Sequence, residues 1–367
     1  MISQQEKMVF CTLFDSNYLD RGLVLYESMR KHIGSFRLYI FAFDRKSFEV
    51  LSHMKLKQVV LLSIEEILPD TLCKVRQERT LAEFCWTCTP FVIGYVLQTY
   101  NEKLCTYIDA DICFFSSPME AIEEIFAHES SVGLVEHRFE RDRKYGGRIF
   151  DFGKYCIQFN TFVNDKDGLR VLKDWEEDCL KWCYCRYGNG KFGDQKYPDK
   201  WKQNYSCVHE LTSLGVGVAP WNLHQYHVYQ NKDRKIYVEF RRRKYPLVFY
   251  HFEGVKDLDN DRIYLNVWKP KERGMGRKIR LIYGAYLRRI MVVRMLLFKS
   301  YHITFEQMKG DHSLYFGGEH SFVCLCEEQG ILEGCRKWVF RQKNNMVSVK
   351  RNILKLGGRY VFTREDL

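Results

Sequence analysis

One pattern constrains this chain more than any other: apolar, β-forming runs alternate with segments of helical periodicity. Met8–Phe14, "MVFCTLF", reads as a buried strand. The helix-capping residues Asp15–Asn17, "DSN", follow it, and Leu19, Leu23, Tyr26 and Met29 then recur at helical spacing. Arg37–Phe43, "RLYIFAF", and Gln58–Leu62 read as further strands. Thr80–Tyr100 reads as a long apolar helical region in which Pro90 starts a new helix or bends one. Leu104–Asp109 is the next strand. Ser116–Phe126 then opens a helix with serine at the cap, proline in the first turn and acids after it. Ser131–Glu136 and Ile157–Val163 read as strands, Asp167–Trp182 as a helix, and Leu247–Phe252 as the last strand. This alternation predicts an α/β fold with a mainly parallel central sheet. In open sheets of this kind ligands bind beyond the carboxyl ends of the strands. Asp15, Asn17, Asp109, Asp111 and His251 all fall at such ends.

The 367 residues supply ample material for a core, as one large domain or two smaller ones. A hydrophobic content of 46% and an aromatic content of 15% exclude a disordered chain. The net charge of +11 suggests an anionic partner: a nucleotide, a membrane surface or a nucleic acid. The polar start "MISQQEKMVFCTLF" does not read as a signal peptide, and no apolar run is long enough to span a bilayer. The 14 cysteines are then expected to be reduced, small hydrophobic residues of a cytoplasmic protein.

The character changes near Leu258, which predicts a main domain over 1–257 and a basic, largely helical extension over 258–367. Arg273–Ile303 carries six arginines and two lysines among aliphatic residues, with no acid. Such a basic amphipathic segment either lies peripherally on an anionic membrane or packs on the main domain with its charges in water.

The stretch "YIDADICFF", Tyr107–Phe115, places two aspartates in an apolar strand. In extended backbone, residues i and i+2 share a face, so Asp109 and Asp111 converge while small Ala110 turns away. Two such carboxylates repel unless a cation lies between them. Oxygen ligands suit a hard divalent ion, Mn²⁺ or Mg²⁺, which keeps positions open for substrate phosphates. The plainer alternative is a capping pair at a strand–loop junction.

"YIDADICFFSSP" resembles the Asp-x-Asp segment of glycosyltransferases with the type A fold, which use nucleotide-diphosphate sugars. "FCTLFDSNYLDRGLVLYESMRKH" resembles their first strand and helix, and "FNTFVN", Phe159–Asn164, their acceptor-side strand. "GDQKYPDKW", Gly193–Trp201, and "YHFEG", Tyr250–Gly254, resemble the Asp-Gln and His-Phe-x-Gly segments of the retaining family 8 enzymes. The likeness runs in order from Met8 to Gly254. The chain departs from family 8 after Gly254, where "VKDLDND" replaces the usual Lys-Pro-Trp continuation.

The resemblance implies a single Rossmann-like type A domain that transfers a sugar from a nucleotide-diphosphate donor to a glycan or lipid-linked acceptor, with retention. It implies Asp109, Asp111 and His251 as metal ligands, with Asp109 and Ala110 also at the donor. Asp15 and Asn17 would meet the base and ribose, and Tyr18 would stack on the base. Arg76 and Arg79 are candidates for the diphosphate, because arginine forks match phosphate oxygens. Asp194 and Gln195 are the candidates for the reacting centre, and Asn160 for contact with sugar hydroxyls. Each has a structural alternative: helix capping for Asp15 and Asn17, a solvated helix face for the arginines, a local hydrogen bond for His251, and loop polarity for the rest.

Three other signals rank lower. "CWTC", Cys85–Cys88, lies in an apolar helical stretch and reads as core packing. "HQYH", His224–His227, fits no metal template, and "RRRK", Arg241–Lys244, reads as a solvated charge run with no nucleic-acid-binding motif beside it. Two further functions compete with sugar transfer. One is a sugar-phosphate nucleotidyltransferase, which would carry a glycine-rich loop after the first strand. The other is a non-catalytic binding protein that keeps the fold.

Overall fold

The computed structural model describes residues 7–140, 151–259, 262–270 and 272–305, together with short strands at 323–326, 347–348 and 353–355. The chain forms two compact units, Met1–Gly217 and Val218–Leu367.

The first unit is built on a seven-stranded sheet in the order β3-β2-β1-β4-β7-β6-β8. Its strands are β1 (Met8–Phe14), β2 (Phe36–Ala42), β3 (Val59–Ser63), β4 (Leu104–Ile108), β6 (Val132–Glu136), β7 (Tyr155–Val163) and β8 (Val208–Glu210). The short β5 (Ile112–Phe114) lies outside this sheet. Strand β1 is parallel to β2 and β4, and β2 is parallel to β3. Strand β7 runs antiparallel to both β4 and β6, and β6 is parallel to the edge strand β8. The expected α/β fold with a mainly parallel sheet is therefore observed.

Helices connect the strands: α1 (Leu19–His32), α2 (Arg45–Met54), α3 (Ile64–Ile67), α4 (Asp70–Arg76), α5 (Leu81–Thr99), α6 (Met119–Ala127), α7 (Lys166–Lys181) and α8 (Trp201–Asn204). Alternation along β1 divides the packing. Val9, Cys11 and Leu13 join Phe84, Cys88, Val92 and Val96 of α5 and Val171 and Trp175 of α7 in one core. Phe10 instead meets Phe114 edge-on, with ring centroids 6.3 Å apart. Phe114 is in turn fixed to α1 by its N–H, which donates to Ser28 Oγ at 3.0 Å.

Three local expectations change. Pro90 does not start a new helix: α5 runs unbroken from Leu81 to Thr99 with the proline inside it. A Thr80–Glu83 capping box fixes its start, and its buried residues lie on both sides of the proline. An internal proline costs about 3 kcal/mol, which the burial of two large apolar side chains at about 1.5–3 kcal/mol each offsets. Pro118 is the N-cap of α6 rather than a residue of its first turn. The third change concerns the Asp-x-Asp stretch. Strand β4 stops at Ile108, and Ala110 and Asp111 form a turn closed by the Ile112 N–H, which donates to the Asp109 carbonyl at 3.3 Å. Alternation along a strand is therefore not what relates the two aspartates.

In the second unit, β9 (His227–Gln230), β10 (Ile236–Phe240) and β11 (Arg243–Pro246) form an antiparallel meander. Strand β12 (Phe249–His251) follows. Strands β13 (Lys256–Asp259), β14 (Arg262–Tyr264), β15 (Val323–Cys326), β16 (Val347–Ser348) and β17 (Ile353–Lys355) form a sheet in the order β13-β14-β17-β15-β16. The basic segment forms α9 (Met275–Tyr301). Its apolar face, including Ile279, Ile282, Tyr283, Tyr286 and Leu287, is buried. Even Lys278 is buried, with Nζ donating to the carbonyls of His224 at 2.9 Å and Leu223 at 3.4 Å. Desolvation holds its pKa below the ordinary lysine value. The helix thus packs within its own unit. Most of the expected extension beyond Phe305 lies outside the described residues. None of the described helices is long and apolar enough to cross a membrane.

Candidate metal and donor site

Strand β4 sits near the middle of the sheet, between β1 and β7, so its carboxyl end opens beside the ends of both neighbours. The turn at that end carries Asp109 and Asp111, whose carboxylate oxygens lie within 4.8 Å of each other. Asp111 is buried. The Asp109 N–H donates to the Gln158 carbonyl of β7 at 3.2 Å, and Tyr107 donates its hydroxyl to Asp109 Oδ1 at 3.0 Å. Tyr107 is two residues earlier on β4, on the side of the strand that points the same way. Burial and the charges of Asp109 and Asp194 push its phenol well above the ordinary range, which keeps it protonated as a donor. The donor set, two adjacent and partly desolvated carboxylates, fits a hard divalent cation.

Asp194 lies in the loop before α8 and is 5% exposed. Burial, reinforced by the charge on Asp109, pushes its carboxyl up to about 8. The hydroxyl of Thr89, on α5, and backbone N–H groups work in the opposite direction. The loop is held by its own backbone. The Asp194 carbonyl accepts the Trp175 indole N–H at 3.1 Å, and the Gly193 N–H donates to the Tyr184 carbonyl at 3.0 Å. Gly193 has φ +50°, and a Cβ there would stand 3.3 Å from the Trp86 ring. Both features favour glycine at this position. Gln195 follows in the same turn and is half-buried.

The loop after β1 is a capping structure. Asp15 accepts the Asn17 N–H at 3.1 Å and the Asn17 side-chain amide at 2.7 Å. Burial raises its pKa, the Asn17 amide opposes the rise, and the charge of Asp44 adds to it. Tyr18 is exposed, with the Arg21 guanidinium 4.6 Å from its ring centroid.

Other expected residues have more occupied surroundings. Arg79 is buried, donates to the Thr87 hydroxyl and to the Leu180 carbonyl at 2.8 Å, and so joins the start of α5 to the end of α7. Arg76 pairs with Glu65 at 3.2 Å on the surface. Asn160 is fully buried on β7, where one atom of its side-chain amide lies 2.9 Å from the Phe159 carbonyl and 3.1 Å from the Cys156 carbonyl, which assigns that atom as the nitrogen donor. His251 belongs to the second unit. It is 5% exposed at the end of β12, its N–H donates to the Val218 carbonyl at 2.9 Å, and its ring stands edge-on to Trp221 at 5.6 Å.

Sequence reasoning missed Tyr107 and Thr89. The alternation of β4 was the available signal for Tyr107, whereas nothing local marks a helical threonine as a neighbour of Asp194. Cys85 and Cys88 lie on α5, and burial raises both thiols, the reverse of what a redox pair needs. Among the described residues, no metal-competent group forms around His224–His227.

No protein-family model matches the chain. Among solved structures, it is similar to an active-site mutant of LgtC at a TM-score of 0.49 and 12% identity, over 75% of this chain and 95% of that one. It is also similar to mouse xyloside xylosyltransferase 1, at a TM-score of 0.42 and 10% identity, over 68% of this chain and 98% of that one. Two sequence relatives come from Bacillus subtilis (strain 168). YfnD is 29% identical over 252 residues, 67% of this chain and 77% of YfnD. YfnF is 31% identical over 259 residues, 69% of this chain and 84% of YfnF, and neither name states an activity. On that identity and coverage, the chain belongs to the same family as YfnF of Bacillus subtilis.

Proposed function

We propose that the protein is a metal-dependent glycosyltransferase that moves a sugar from a nucleotide-diphosphate donor to a glycan or lipid-linked acceptor, with retention, in cell-surface polysaccharide synthesis. The observation that carries this reading is the turn after β4. It sets two carboxylates side by side at the carboxyl end of a central strand, with the buried, proton-retaining Asp194 close enough to Asp109 to feel its charge. In this reading the catalytic region spans 1–257, and Mn²⁺ or Mg²⁺ is held by Asp109 and Asp111. The bound ion supplies Lewis-acid stabilisation of the charge that grows on a departing diphosphate. The chain's own residues position the rest. Tyr107 fixes the Asp109 carboxylate, which also faces the ribose. Asp15, Asn17 and Tyr18 receive the base and ribose, and Arg76 and Arg79 assist the phosphates. Asp194 and Gln195 face the reacting sugar, where a protonated Asp194 donates a hydrogen bond and an ionised one stabilises oxocarbenium-like charge.

The loop after β1 favours this reading over nucleotidyl transfer, because Asp15 and Asn17 close it with side-chain hydrogen bonds in place of a glycine-rich phosphate cradle. The test is a panel of nucleotide sugars incubated with the full chain, first with a chelator and then with Mn²⁺ restored. The expected result is release of a nucleoside diphosphate that depends on the metal. Pyrophosphate formation from a sugar phosphate and a nucleoside triphosphate would replace the proposal with the nucleotidyltransferase reading. No nucleotide binding would leave a non-catalytic protein.

A further inference from the structure

A second set of metal-ligating side chains lies at the far edge of the sheet in the first unit. We propose that Glu124, His128 and His209 bind a borderline divalent transition ion, such as Zn²⁺ or Co²⁺, at a site separate from the Asp109–Asp111 pair. Glu124 and His128 are four residues apart on α6, so they share one face of the helix. His128 is the C-cap residue, and its exposed ring is the adaptable member. His209 comes from the edge strand β8. The ligand atoms of all three side chains lie within 4.8 Å of one another. The imidazoles of His128 and His209 stack with centroids 4.1 Å apart and planes 16° apart.

The arrangement is built rather than incidental. Glu124 Oε1 accepts both His209 Nε2–H at 2.8 Å and the Thr212 N–H at 2.8 Å. A backbone donor thus holds the same carboxylate oxygen that meets His209, as outer-shell partners do at metal centres. An ion would replace the proton shared by Nε2 and Oε1. Tetrahedral bonds of about 2.0–2.1 Å set two ligand atoms about 3.4 Å apart, so the 2.8 Å pair must open by roughly half an ångström. The exposed His128 ring supplies the third bond by turning out of the stack, and water completes the sphere. Two imidazole nitrogens and one carboxylate favour a borderline ion, whereas the all-oxygen Asp109–Asp111 pair favours Mg²⁺ or Mn²⁺. A bound ion would staple the edge strand β8 to α6.

The test is a Co²⁺ titration of the full chain with Mg²⁺ in excess to fill the acidic site. The readout is the visible ligand-field absorption of cobalt. We expect bands that saturate at one equivalent, persist in Asp111→Asn, and lose at least about tenfold in affinity in both His128→Gln and His209→Gln. Zn²⁺ should also raise the unfolding temperature of the wild type and not of the histidine variants. If His209→Gln fails to fold, His128→Gln decides alone, because its ring is exposed at a helix end. No saturable band, or bands that survive both histidine substitutions and vanish in Asp111→Asn, would overturn the proposal.

Discussion

The carboxyl of Asp194 holds its proton because it is buried beside the charge of Asp109. Burial is the larger cause and Asp109 the second, and together they push Asp194 up from 3.8 to about 8. The raised value has a definite consequence for stability. The folded state keeps a proton that the unfolded state releases, so this group's contribution is fully present below about pH 4. It declines as pH rises and is lost above about pH 8. In metal-free protein, Asp194→Asn should therefore flatten the fall in urea midpoint between pH 4 and pH 8. Asp109→Asn should move that fall to lower pH. Equal slopes in wild type and Asp194→Asn would contradict the assignment.

Arg79 serves the fold before it serves any ligand. Its guanidinium joins Thr87 on α5 to the Leu180 carbonyl on α7. A hydrogen bond to a charged group contributes about 1.5–3 kcal/mol, and lysine cannot reproduce the fork. Arg79→Lys should lower stability by an amount of that order, read as a shift in urea midpoint without ligand. A variant with wild-type stability and weakened donor binding would assign Arg79 to the diphosphate alone.

Much of the sheet is legible in the sequence because its strands are buried on both faces and read as continuous apolar runs. "MVFCTLF" coincides with β1, and the helix over Asp167–Trp182 is displaced by one residue. The Asp-x-Asp stretch shows the limit of that reading. The pattern marks its residues but not the reason they converge, because a turn interrupts the apolar run without glycine or proline to signal it. Asp194 illustrates a different limit. Its neighbours Thr89 and Asp109 come from distant parts of the chain, and no local pattern encodes that meeting. The meander β9–β11 is hard to read because its strands are short and only partly buried, so alternation is weak.

Gly22 fixes how α1 leaves the loop that carries Asp15. A Cβ at this position would run into the Phe14 ring of β1. Alanine gains about 1 kcal/mol of helix propensity over glycine, while overpacking a rigid ring costs about 1–3 kcal/mol. Gly22→Ala should therefore destabilise on the order of 1 kcal/mol, measured by denaturant unfolding. A stabilised variant would show that the ring shifts freely.

Tyr250 and Tyr283 form a buried hydrogen-bonded pair, O···O 2.9 Å, and Tyr283 also donates to the Leu265 carbonyl at 2.9 Å. Tyr283→Phe removes the hydroxyl that both bonds require. An unsatisfied buried polar group costs about 1–3 kcal/mol, so a loss of that size is expected for the second unit. Hydrogen exchange at the β12 amides should rise with it. Unchanged exchange would mean that the pair contributes nothing to holding α9 in place.

The central claim is that the two carboxylates of the β4–β5 turn hold the ion that assists diphosphate departure. The most direct measurement is the rate of Mn²⁺-dependent nucleoside diphosphate release by Asp111→Asn against wild type, at matched folding. The claim predicts a loss on the order of a hundredfold or more, the scale set by removing one charge-stabilising group from a reacting centre. Release at the wild-type rate, with the same Mn²⁺ dependence, would contradict it.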